Sequence, residues 1–350
     1  MKVVAYSIKP FEKEFLARAN QKKHDITLIS NSLALDTVGY AEGKDAVMVF
    51  TNDDVSSPVI EKLADLGIRY IATRSVGIDH IDTDAAQIRN IKLANVPSYS
   101  PQAIAEHTIA LALALSRNLC IANEHSRRFD FRLNDLIGFN FSGKTVGLIG
   151  LGQIGMATAA IFSGFGCKVI GHDVNPPSEL NGVKLIGMHE LLAESDIISI
   201  HVPLTKENKY MIGRASIALM KNGVMLLNTS RGGIISTEDV LVAVRSGKIG
   251  YLGLDVYEHE RNQFFQDHEN DGNKDLLLKS LLELPNVLVT PHQAFLTKEA
   301  LQEIANQTIR NLDFWQEEKC VGDNCICKNH CRLKNAKAKS AIQDHINYLP

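Results

Sequence analysis

Residues 144–173 read KTVGLIGLGQIGMATAAIFSGFGCKVIGHD, and this stretch decides the fold. It begins with Thr145–Ile149, a short apolar, β-branched run that predicts a buried strand. Residues 153–164 carry small and apolar side chains suited to a helix, and a second strand-like run from Lys168 ends at Asp173. Between the first strand and the helix, three glycines have the spacing Gly-x-Gly-x-x-Gly; they are Gly150, Gly152 and Gly155. The order of strand, glycine turn, helix, strand and acid predicts a βαβ unit that binds a dinucleotide.

The glycines and the acid have distinct physical roles in such a unit. Gly150 permits the tight turn, Gly152 lets the backbone approach a pyrophosphate, and Gly155 lets the helix pack against the strand. The phosphate is expected at the helix N-terminus, where unpaired N–H groups point. Asp173 lies 18 residues past Gly155, where a carboxylate bonds the ribose 2′-hydroxyl and repels a 2′-phosphate. NAD is therefore favoured over NADP. The alternative, a glycine-rich turn that binds no ligand, would not explain the acid at the end of the second strand.

Length and composition exclude several classes of protein. A chain of 350 residues is long enough for two domains, and its charged share of 22% is ordinary for a globular protein. A net charge of -3 gives no reason to expect nucleic acid or an acidic membrane as a partner. The apolar run Ile109–Leu115 is too short to span a bilayer, and Met1–Tyr6 lacks the apolar core of a signal peptide. We therefore expect a cytoplasmic protein, whose six cysteines do not form a secreted disulfide framework.

The first 96 residues alternate short apolar runs with helix-like segments and contain no glycine fingerprint. The predicted strands are Lys2–Tyr6, Asp25–Ile29, Ala46–Phe50, Tyr70–Thr73 and Lys92–Asn95. Helices such as Phe11–Gln21 and Val59–Leu66 lie between them. This alternation predicts a parallel sheet covered on both faces, in a domain without its own nucleotide.

A long apolar segment separates this domain from the glycine fingerprint. Ser100 is a good N-cap and Pro101 a good first helical residue. The residues from Gln102 to about Asn123 are apolar on most faces, which predicts one long helix that is buried between domains or between subunits.

The nucleotide domain continues after Asp173 with further alternating elements. The predicted strands are Ile197–His201, Val224–Asn228, Gly250–Asp255 and Val287–Thr290, and the predicted helices are His189–Glu194, Arg214–Lys221 and Thr237–Ser246. Residues 261–274 are polar and predict a surface loop. The helical pattern of Lys298–Glu318 is expected to cross back and complete the first domain.

The elements together predict an α/β fold of two doubly wound parallel-sheet domains, a Rossmann NAD domain inserted in a flavodoxin-like substrate domain. The substrate domain takes residues 1–100 and 297–318, and the NAD domain takes residues 101–296. Residues 319–350 form a cysteine-rich C-terminal tail.

Three polar stretches directly follow predicted strands of the nucleotide domain. They are Asn228-Thr-Ser-Arg-Gly-Gly233, Gly253-Leu-Asp-Val-Tyr-Glu-His-Glu260 and Thr290-Pro-His-Gln-Ala-Phe295. Because ligands bind beyond the carboxyl ends of the strands in an open α/β sheet, Arg231, Glu260 and His292 can converge on one site.

These three groups fit the chemistry of a 2-oxo or 2-hydroxy acid. Arg231 can hold a carboxylate through two parallel hydrogen bonds. His292 can donate a proton to the carbonyl oxygen as hydride arrives, and Glu260 can hold the imidazole in one tautomer and favour its protonated form. Taken singly, such an arginine is more often a surface ion pair and such a histidine a capping or core residue. The three together in a nucleotide domain favour a catalytic site.

The chain resembles the D-2-hydroxyacid dehydrogenases, and within that family the D-lactate dehydrogenases, over roughly residues 1–318. The motifs that carry the resemblance are Ser75-Val-Gly-Ile-Asp-His-Ile-Asp82, Asn95-Val-Pro-Ser-Tyr-Ser-Pro101, Gly147 to Gly155, His201-Val-Pro-Leu-Thr205, Asn228 to Gly233, Gly253 to Glu260 and Thr290 to Phe295.

The resemblance implies a role for each site residue. Arg231, Glu260 and His292 would be catalytic, and the backbone amides of Val76 and Gly77 would share the substrate carboxylate with Arg231. Tyr99 and Phe295 would bound a small side-chain pocket, and Asp255 would sit at the nicotinamide carboxamide. The full set of cofactor-binding residues would be Gly150, Gly152, Gln153, Ile154, Gly155, Asp173, His201, Val202, Pro203, Asn208, Thr229, Ser230 and Asp255, with no metal.

The resemblance also implies an assembly and a motion. Members of the family are usually homodimers, with the helix after Pro101 in the interface. Their domains close on a hinge and exclude water, and Pro97–Pro101 and Gln293–Lys298 fit that hinge.

The predicted function is an NAD-dependent D-lactate dehydrogenase that interconverts pyruvate and D-lactate. One alternative is a dehydrogenase for bulkier branched or aromatic 2-oxo acids, since one methylene changes discrimination by only ~1–3 kcal/mol. A second alternative is a non-catalytic NAD-sensing regulator, because relatives of this fold serve that role and some keep the same three residues.

The C-terminus departs from the family pattern. It holds Cys320, Cys325, Cys327 and Cys331 with His330 nearby, a spacing of neither a zinc ribbon nor a standard iron–sulfur site. A soft-metal or redox role and an uninvolved tail are both open. Cys120 and Cys167 lie in apolar segments and are expected to be small core residues.

Overall fold

The structure, a computed structural model, describes residues 1–261, 263–272 and 274–326. It divides the chain into two compact units: Ser100–Leu296, and Met1–Tyr99 with the described part of Thr297–Pro350. The strands found in the described residues are β1 (Lys2–Ala5), β2 (Asp25–Leu28), β3 (Ala46–Val49), β4 (Tyr70–Thr73), β5 (Lys92–Ala94), β6 (Thr145–Ile149), β7 (Lys168–His172), β8 (Lys184–Leu185), β9 (Ile197–Ile200), β10 (Val224–Asn228), β11 (Ile249–Leu254) and β12 (Val287–Val289). The α-helices found there are α1 (Lys13–Asn20), α2 (Ser57–Asp65), α3 (Thr83–Ile88), α4 (Pro101–Ser116), α5 (Leu119–Arg127), α6 (Gln153–Gly164), α7 (Met188–Glu194), α8 (Arg214–Leu219), α9 (Thr237–Arg245), α10 (Leu276–Leu282) and α11 (Lys298–Gln316).

The unit Ser100–Leu296 is built on a parallel sheet with the strand order β12-β11-β10-β9-β6-β7-β8. From β6 the chain moves outward through β7 and β8, then returns to the other side of β6 for β9 and continues outward to β12. The order reverses between β6 and β9, which is the topological switch point of a Rossmann sheet. The predicted Rossmann domain is confirmed.

Helices cover both faces of this sheet, as its continuous apolar strands require. On one face, Leu148 belongs to a core with Phe162 of α6. On the other face, Ile198 belongs to a core with Leu191 of α7 and Val240 of α9. The two cores lie against the faces of the sheet. The carboxyl ends of the parallel strands lie at one edge, where the polar loops begin.

The prediction of one long helix from Gln102 to about Asn123 is wrong. The segment forms α4 and α5, which meet at 62° because Asn118 between them takes a left-handed backbone conformation with φ +50°. This turn leaves α5 without a buried residue, so Cys120 is exposed and its predicted core position is also wrong. Cys167 is half-buried and packs against the core beside α6.

No single helix in the described residues is long and apolar enough to cross a bilayer. Among the helices of the described residues, one bent pair, α4 and α5, reaches the required length and composition, and most of α4 packs into the core of its own unit.

The other unit is built on a parallel sheet with the strand order β2-β1-β3-β4-β5. This is the flavodoxin-like order, so the predicted fold class is confirmed for both units. Trp315 of α11 stacks on Tyr70 of β4 with 4.9 Å between ring centroids. The last helix described therefore packs on the sheet formed by the first 94 residues.

The described start of the cysteine-rich tail pairs with β5, the edge strand of this sheet. Ala94 and Cys325 form an antiparallel bridge, the Ile326 N–H donates to Leu93 O at 3.2 Å, and the Asn95 N–H donates to Asn324 O at 3.0 Å. Within the described residues no group of three or more histidines, cysteines and acids could hold a metal ion. Cys327, His330 and Cys331 lie outside the described residues.

Candidate active site

Three loops lie side by side at the carboxyl edge of the seven-stranded sheet. Residues 228–233 follow β10, residues 255–260 follow β11, and residues 290–295 follow β12. Gly232 lets the first two loops touch, since a Cβ there would lie 2.0 Å from the carbonyl carbon of Tyr257. The parallel register of the strands therefore carries the three predicted stretches to one edge.

His292 and Glu260 form a pair at this edge. The Nδ1 atom of His292 lies 3.0 Å from Oε1 of Glu260, and the two side chains are 16% and 27% exposed. The other carboxylate oxygen of Glu260 accepts the backbone N–H of Tyr257 at 3.1 Å, which fixes the carboxylate. Because Nδ1 faces Glu260, Nε2 is the ring nitrogen that can meet a substrate.

Arg231 stands on the neighbouring loop, directly before the short helical turn Gly232–Ile234. The side chain of Asn228 donates to the carbonyl oxygen of Arg231 at 2.9 Å and so fixes its backbone. The guanidinium donates through Nη1 to Ser230 O at 2.7 Å. This places a cation at the same sheet edge as the His292–Glu260 pair.

Asp255 ties the β11 loop to the β12 loop. Its buried carboxylate accepts the backbone N–H groups of Gln293 at 2.8 Å and Ala294 at 2.9 Å. His292, directly before them, has a left-handed backbone with φ +54°, a conformation that costs a non-glycine residue about 1–3 kcal/mol. The surrounding structure maintains such a strained conformation, and the two hydrogen bonds to Asp255 contribute to this.

Two aromatic rings face the imidazole of His292. Phe295, predicted at the site, is buried with its ring centroid 6.5 Å from that of His292. Phe265 lies at 5.9 Å and is not among the predicted site residues, because the polar composition of residues 261–274 predicts a surface loop. The signal available was the adjacent pair Phe264 and Phe265 inside an otherwise polar stretch.

The glycine turn on the other side of the switch point forms an open cradle. Gly150 has φ +98°, and a Cβ at Gly155 would lie 2.1 Å from Gly150 O. Neither position accepts a side chain without a backbone shift. By contrast, nothing lies within 4 Å of a Cβ built at Gly152, so the space beside it is open to a ligand.

The remaining parts of the cradle are a helix N-terminus and a carboxylate. α6 begins at Gln153, so the amides of Gln153 and Ile154 belong to the first turn, whose N–H groups have no partner within the helix. The carboxylate of Asp173 accepts the Leu151 N–H at 2.6 Å and the Asn175 N–H at 2.7 Å. The acid therefore lies against the glycine turn. Open glycine backbone, helix N-terminus and acid together fit a dinucleotide.

His201 lies at the switch point, directly after β9. Its carbonyl would be 2.5 Å from a Cβ at Gly150, and its Nε2 lies 2.9 Å from Ser199 Oγ. The residue is partly exposed as a whole, yet its Nδ1 is buried and has no hydrogen-bond partner among the described residues. Burial lowers the pKa of His201 to about 4, so the ring is neutral near neutral pH.

The loop after His201 packs around the same turn. The side chain of Val202 approaches Gly150, and the side chain of Asn208 donates to Pro203 O at 2.7 Å. Asn208 thus closes the loop rather than projecting from it. In the β10 loop, Thr229 Oγ1 lies 2.8 Å from Thr108 Oγ1 of α4, and Ser230 Oγ donates to Asn228 Oδ1 at 2.9 Å.

Three predicted substrate residues belong to the other unit. Val76 and Gly77 follow β4, and Ser75 Oγ donates to Gly77 O at 2.8 Å. The side chain of Asn95 donates to Val76 O at 2.9 Å, which fixes this turn from the end of β5. Tyr99 is the last residue of the unit before Ser100. The roles of these three residues stay predictions.

A Rossmann sheet with an open glycine cradle on one side of its switch point and a histidine–carboxylate pair on the other is typical of a nicotinamide-dependent oxidoreductase. The comparisons with known proteins narrow this class. Residues 109–294 match the family model described as D-isomer specific 2-hydroxyacid dehydrogenase, NAD binding domain. The chain belongs to the D-2-hydroxyacid dehydrogenases, and NAD is its cofactor.

Several members of the family are similar over nearly the whole chain. The D-lactate dehydrogenase of Escherichia coli is 42% identical over 316 residues, which are 89% of this chain and 96% of that protein. The aromatic 2-oxoacid reductase of Clostridium sporogenes is 37% identical over 94% of this chain and all of that protein. A solved structure of the pyruvate reductase of Chlamydomonas reinhardtii has a TM-score of 0.87 and 39% identity, covering 92% of this chain and 98% of that one.

Proposed function

We propose that this protein is an NAD-dependent D-lactate dehydrogenase, which reduces pyruvate to D-lactate with NADH and catalyses the reverse reaction. The observation that carries the proposal is the His292–Glu260 pair, with 3.0 Å between Nδ1 and Oε1, at the carboxyl edge of a Rossmann sheet. The similarity to a D-lactate dehydrogenase and to a pyruvate reductase supports the choice of substrate.

In this mechanism the bound cofactor supplies the hydride, and the residues of the chain bind the substrate and move the proton. Arg231 holds the carboxylate of pyruvate through paired hydrogen bonds. His292 donates a proton from Nε2 to the carbonyl oxygen during reduction and takes it back during oxidation. Glu260 keeps the ring oriented through Nδ1, and Asp255 keeps the backbone beside His292 in place.

The cofactor would lie along the glycine cradle. Gly150, Gly152 and Gly155 with the amides of Gln153 and Ile154 would hold the pyrophosphate. Asp173 would bind the ribose hydroxyls. We further propose contacts to the cofactor from the loops after β9, β10 and β11, through His201, Val202, Pro203, Asn208, Thr229, Ser230 and Asp255.

The aromatic rings of Phe265 and Phe295 beside His292 support a small substrate, because both take up space next to the proton donor. A bulkier 2-oxo acid is the second candidate, favoured by the 37% identity to an aromatic 2-oxoacid reductase. Discrimination between the two depends on the shape of the pocket. One methylene changes the free energy of discrimination by only ~1–3 kcal/mol.

The test is NADH oxidation by the pure protein with pyruvate, a branched 2-oxo acid and an aromatic 2-oxo acid, followed by chiral analysis of the product. Fastest turnover with pyruvate and a D-lactate product are expected. A preference for a bulkier acid would keep the mechanism and move the specificity. Tight NADH binding without turnover of any of the three acids would contradict the enzyme and favour an NAD-sensing regulator.

We also propose that the protein is a homodimer that works in the cytoplasm. The dimer proposal is supported by a run of exposed apolar side chains after α5: Phe129, Phe131, Leu133 and Ile137 are each at least 70% exposed. Exposed apolar patches of this kind are typical of protein interfaces. The occupant that we assign to this run is the same run of a second copy, around a twofold axis.

Light scattering after gel filtration tests the dimer. The wild-type chain is expected at twice the mass of one chain, and Phe131→Asp is expected to release monomers. Leu276→Asp is the control, because Leu276 is similarly exposed outside the run. A monomeric wild-type protein would contradict the proposal.

A further inference from the structure

The proposed proton donor depends on a backbone conformation that something else must hold. His292 has φ +54°, in the left-handed region that a side chain disfavours. The next two residues, Gln293 and Ala294, donate their N–H groups to the carboxylate of Asp255 at 2.8 and 2.9 Å. The orientation of the Asp255 carboxylate therefore sets the direction in which the chain leaves His292.

The residues before His292 are tied to the same carboxylate. Thr290 Oγ1 lies 2.6 Å from Oδ1 of Asp255, and the His292 N–H donates to Thr290 O at 2.9 Å. Asp255 thus binds the chain on both sides of His292. Whatever fixes Asp255 and Thr290 also fixes the donor.

His107 of α4 contacts both of these residues. Its Nε2 lies 3.0 Å from Thr290 Oγ1 and 3.4 Å from Oδ1 of Asp255, and its side chain is 17% exposed. The proposed mechanism assigns no role to this histidine, and the predicted site residues do not include it.

The direction of the His107 hydrogen bond follows from counting protons. A threonine hydroxyl has one hydrogen, and an ionised carboxylate can only accept. The hydrogen of Thr290 goes to Oδ1 of Asp255 at 2.6 Å, which is the nearer of its two oxygen acceptors, since Leu254 O lies at 3.4 Å. Thr290 Oγ1 therefore accepts from His107, whose Nε2 carries a proton.

We propose that His107 is a positioning residue for the reaction: it donates to Thr290 and so locks the Asp255 carboxylate and the strained backbone of His292. The inference rests on the proposed role of His292 as proton donor. It connects α4, which lies in the core on one face of the sheet, to the loop that carries the chemistry. His107 acts through other residues and does not exchange protons with the substrate.

Two substitutions at His107 separate positioning from packing. His107→Leu removes the donor and is expected to lower kcat for pyruvate by ~10–100-fold, as a small misplacement of a reacting group does. The Kd for NADH, followed by fluorescence, should rise by less than kcat falls, because Asp255 is one of many proposed cofactor contacts and the glycine cradle is untouched. His107→Gln keeps an N–H donor at similar reach and should restore kcat to within about threefold of wild type.

Control variants test whether the loss of kcat is specific to the hydrogen bond between His107 and Thr290. His189→Leu replaces an exposed histidine of α7 in the same unit and should leave kcat unchanged. Should His107→Leu fail to fold, Thr290→Val removes the same hydrogen bond from the other side. In the double variant, His107→Leu should add at most about twofold to the loss caused by Thr290→Val, because the hydrogen bond between His107 and Thr290 is already absent in Thr290→Val.

Several outcomes would overturn the inference. They are a kcat within twofold of wild type in His107→Leu, a loss in His107→Gln as large as that in His107→Leu, or full additivity with Thr290→Val. If wild-type protein turns over no 2-oxo acid, the proposed function fails by itself. The crystal structure of His107→Leu then decides the inference: a backbone at His292 that leaves the left-handed region supports it, and an unchanged φ overturns it.

Discussion

The carboxyl edge of the seven-stranded sheet has two halves that present different atoms. On the β6–β7 side, the cradle is backbone: Gly152 leaves open space, and the first amides of α6 have no partner within the helix. On the β10–β12 side, the loops present side chains that are tied to one another, with Asp255 at the centre. In the proposed function the glycine half holds the pyrophosphate and ribose of the cofactor, and the cross-linked half contacts the rest of the cofactor and carries the proton donor.

The largest effect is expected from a substitution that changes only the chemical half, on the β10–β12 side. His292→Ala removes the proposed acid–base group and should lower kcat for pyruvate by about two to four orders of magnitude. The Kd for NADH, measured by fluorescence, should stay within about twofold, because the glycine cradle is untouched. Turnover close to the wild-type value would show that the mechanism is wrong.

The converse experiment would break the cofactor half, and two glycines offer a matched pair. Gly155→Ala forces a Cβ to 2.1 Å from Gly150 O, so both the Tm and NADH binding should fall, with a cost of about 1–3 kcal/mol in stability. Gly152→Ala meets no protein atom within 4 Å. It should keep the wild-type Tm and still raise the Kd for NADH by roughly tenfold, about 1.4 kcal/mol.

Thermal melts and fluorescence titrations of the two variants check this pair. Equal losses of Tm in both would mean that Gly152 serves the fold. Unchanged NADH binding in both would mean that the cradle does not hold the cofactor.

A third experiment sharpens the cofactor half by changing only charge. Asp173→Asn removes the negative charge and keeps an oxygen that can accept the Leu151 N–H, which the aspartate accepts at 2.6 Å. The ratio of kcat/KM with NADH to kcat/KM with NADPH should fall by roughly tenfold, because the repulsion of the 2′-phosphate is lost. An unchanged ratio would show that Asp173 does not bind the ribose.

The smallest expected effect concerns His201, between the two halves. Its pKa is lowered from 6.5 to about 4 by burial, so the unfolded chain binds more protons than the folded one between these values. Stability therefore falls as the pH drops through this window. From pH 7 to pH 5 the free energy of unfolding should fall by about 1–2 kcal/mol more in wild type than in His201→Gln.

Urea unfolding of both proteins at the two pH values measures this difference. Parallel losses in wild type and variant would mean that the ring of His201 is not buried in its neutral form.

The cofactor half could be predicted from sequence because its information is local. The glycine spacing sets the turn within six residues, and the strand before it and the acid after it lie within thirty residues of chain. The strand ends that carry Arg231, Glu260 and His292 were also predictable, since parallel strands bring their carboxyl ends to one edge. The pairing of His292 with Glu260 follows from that edge.

The support for the chemical half was not predictable in the same way. His107 and Asp255 are 148 positions apart in the chain, and nothing local in the sequence states that they touch. Phe265 lies in a loop whose polar composition gives no indication that one of its residues contacts the site. The break at Asn118 depends on one left-handed residue inside an apolar run, which periodicity does not detect.

The antiparallel bridge between Ala94 and Cys325 has a consequence for solubility. An uncovered edge strand is a template on which other chains can pair and aggregate. A chain ending at Ile326 keeps the segment that covers β5, whereas a chain ending before Gly322 exposes the N–H of Asn95 and the carbonyl of Leu93 that this segment binds. Shortened forms of the protein should therefore stay in solution only if they retain residues 322–326.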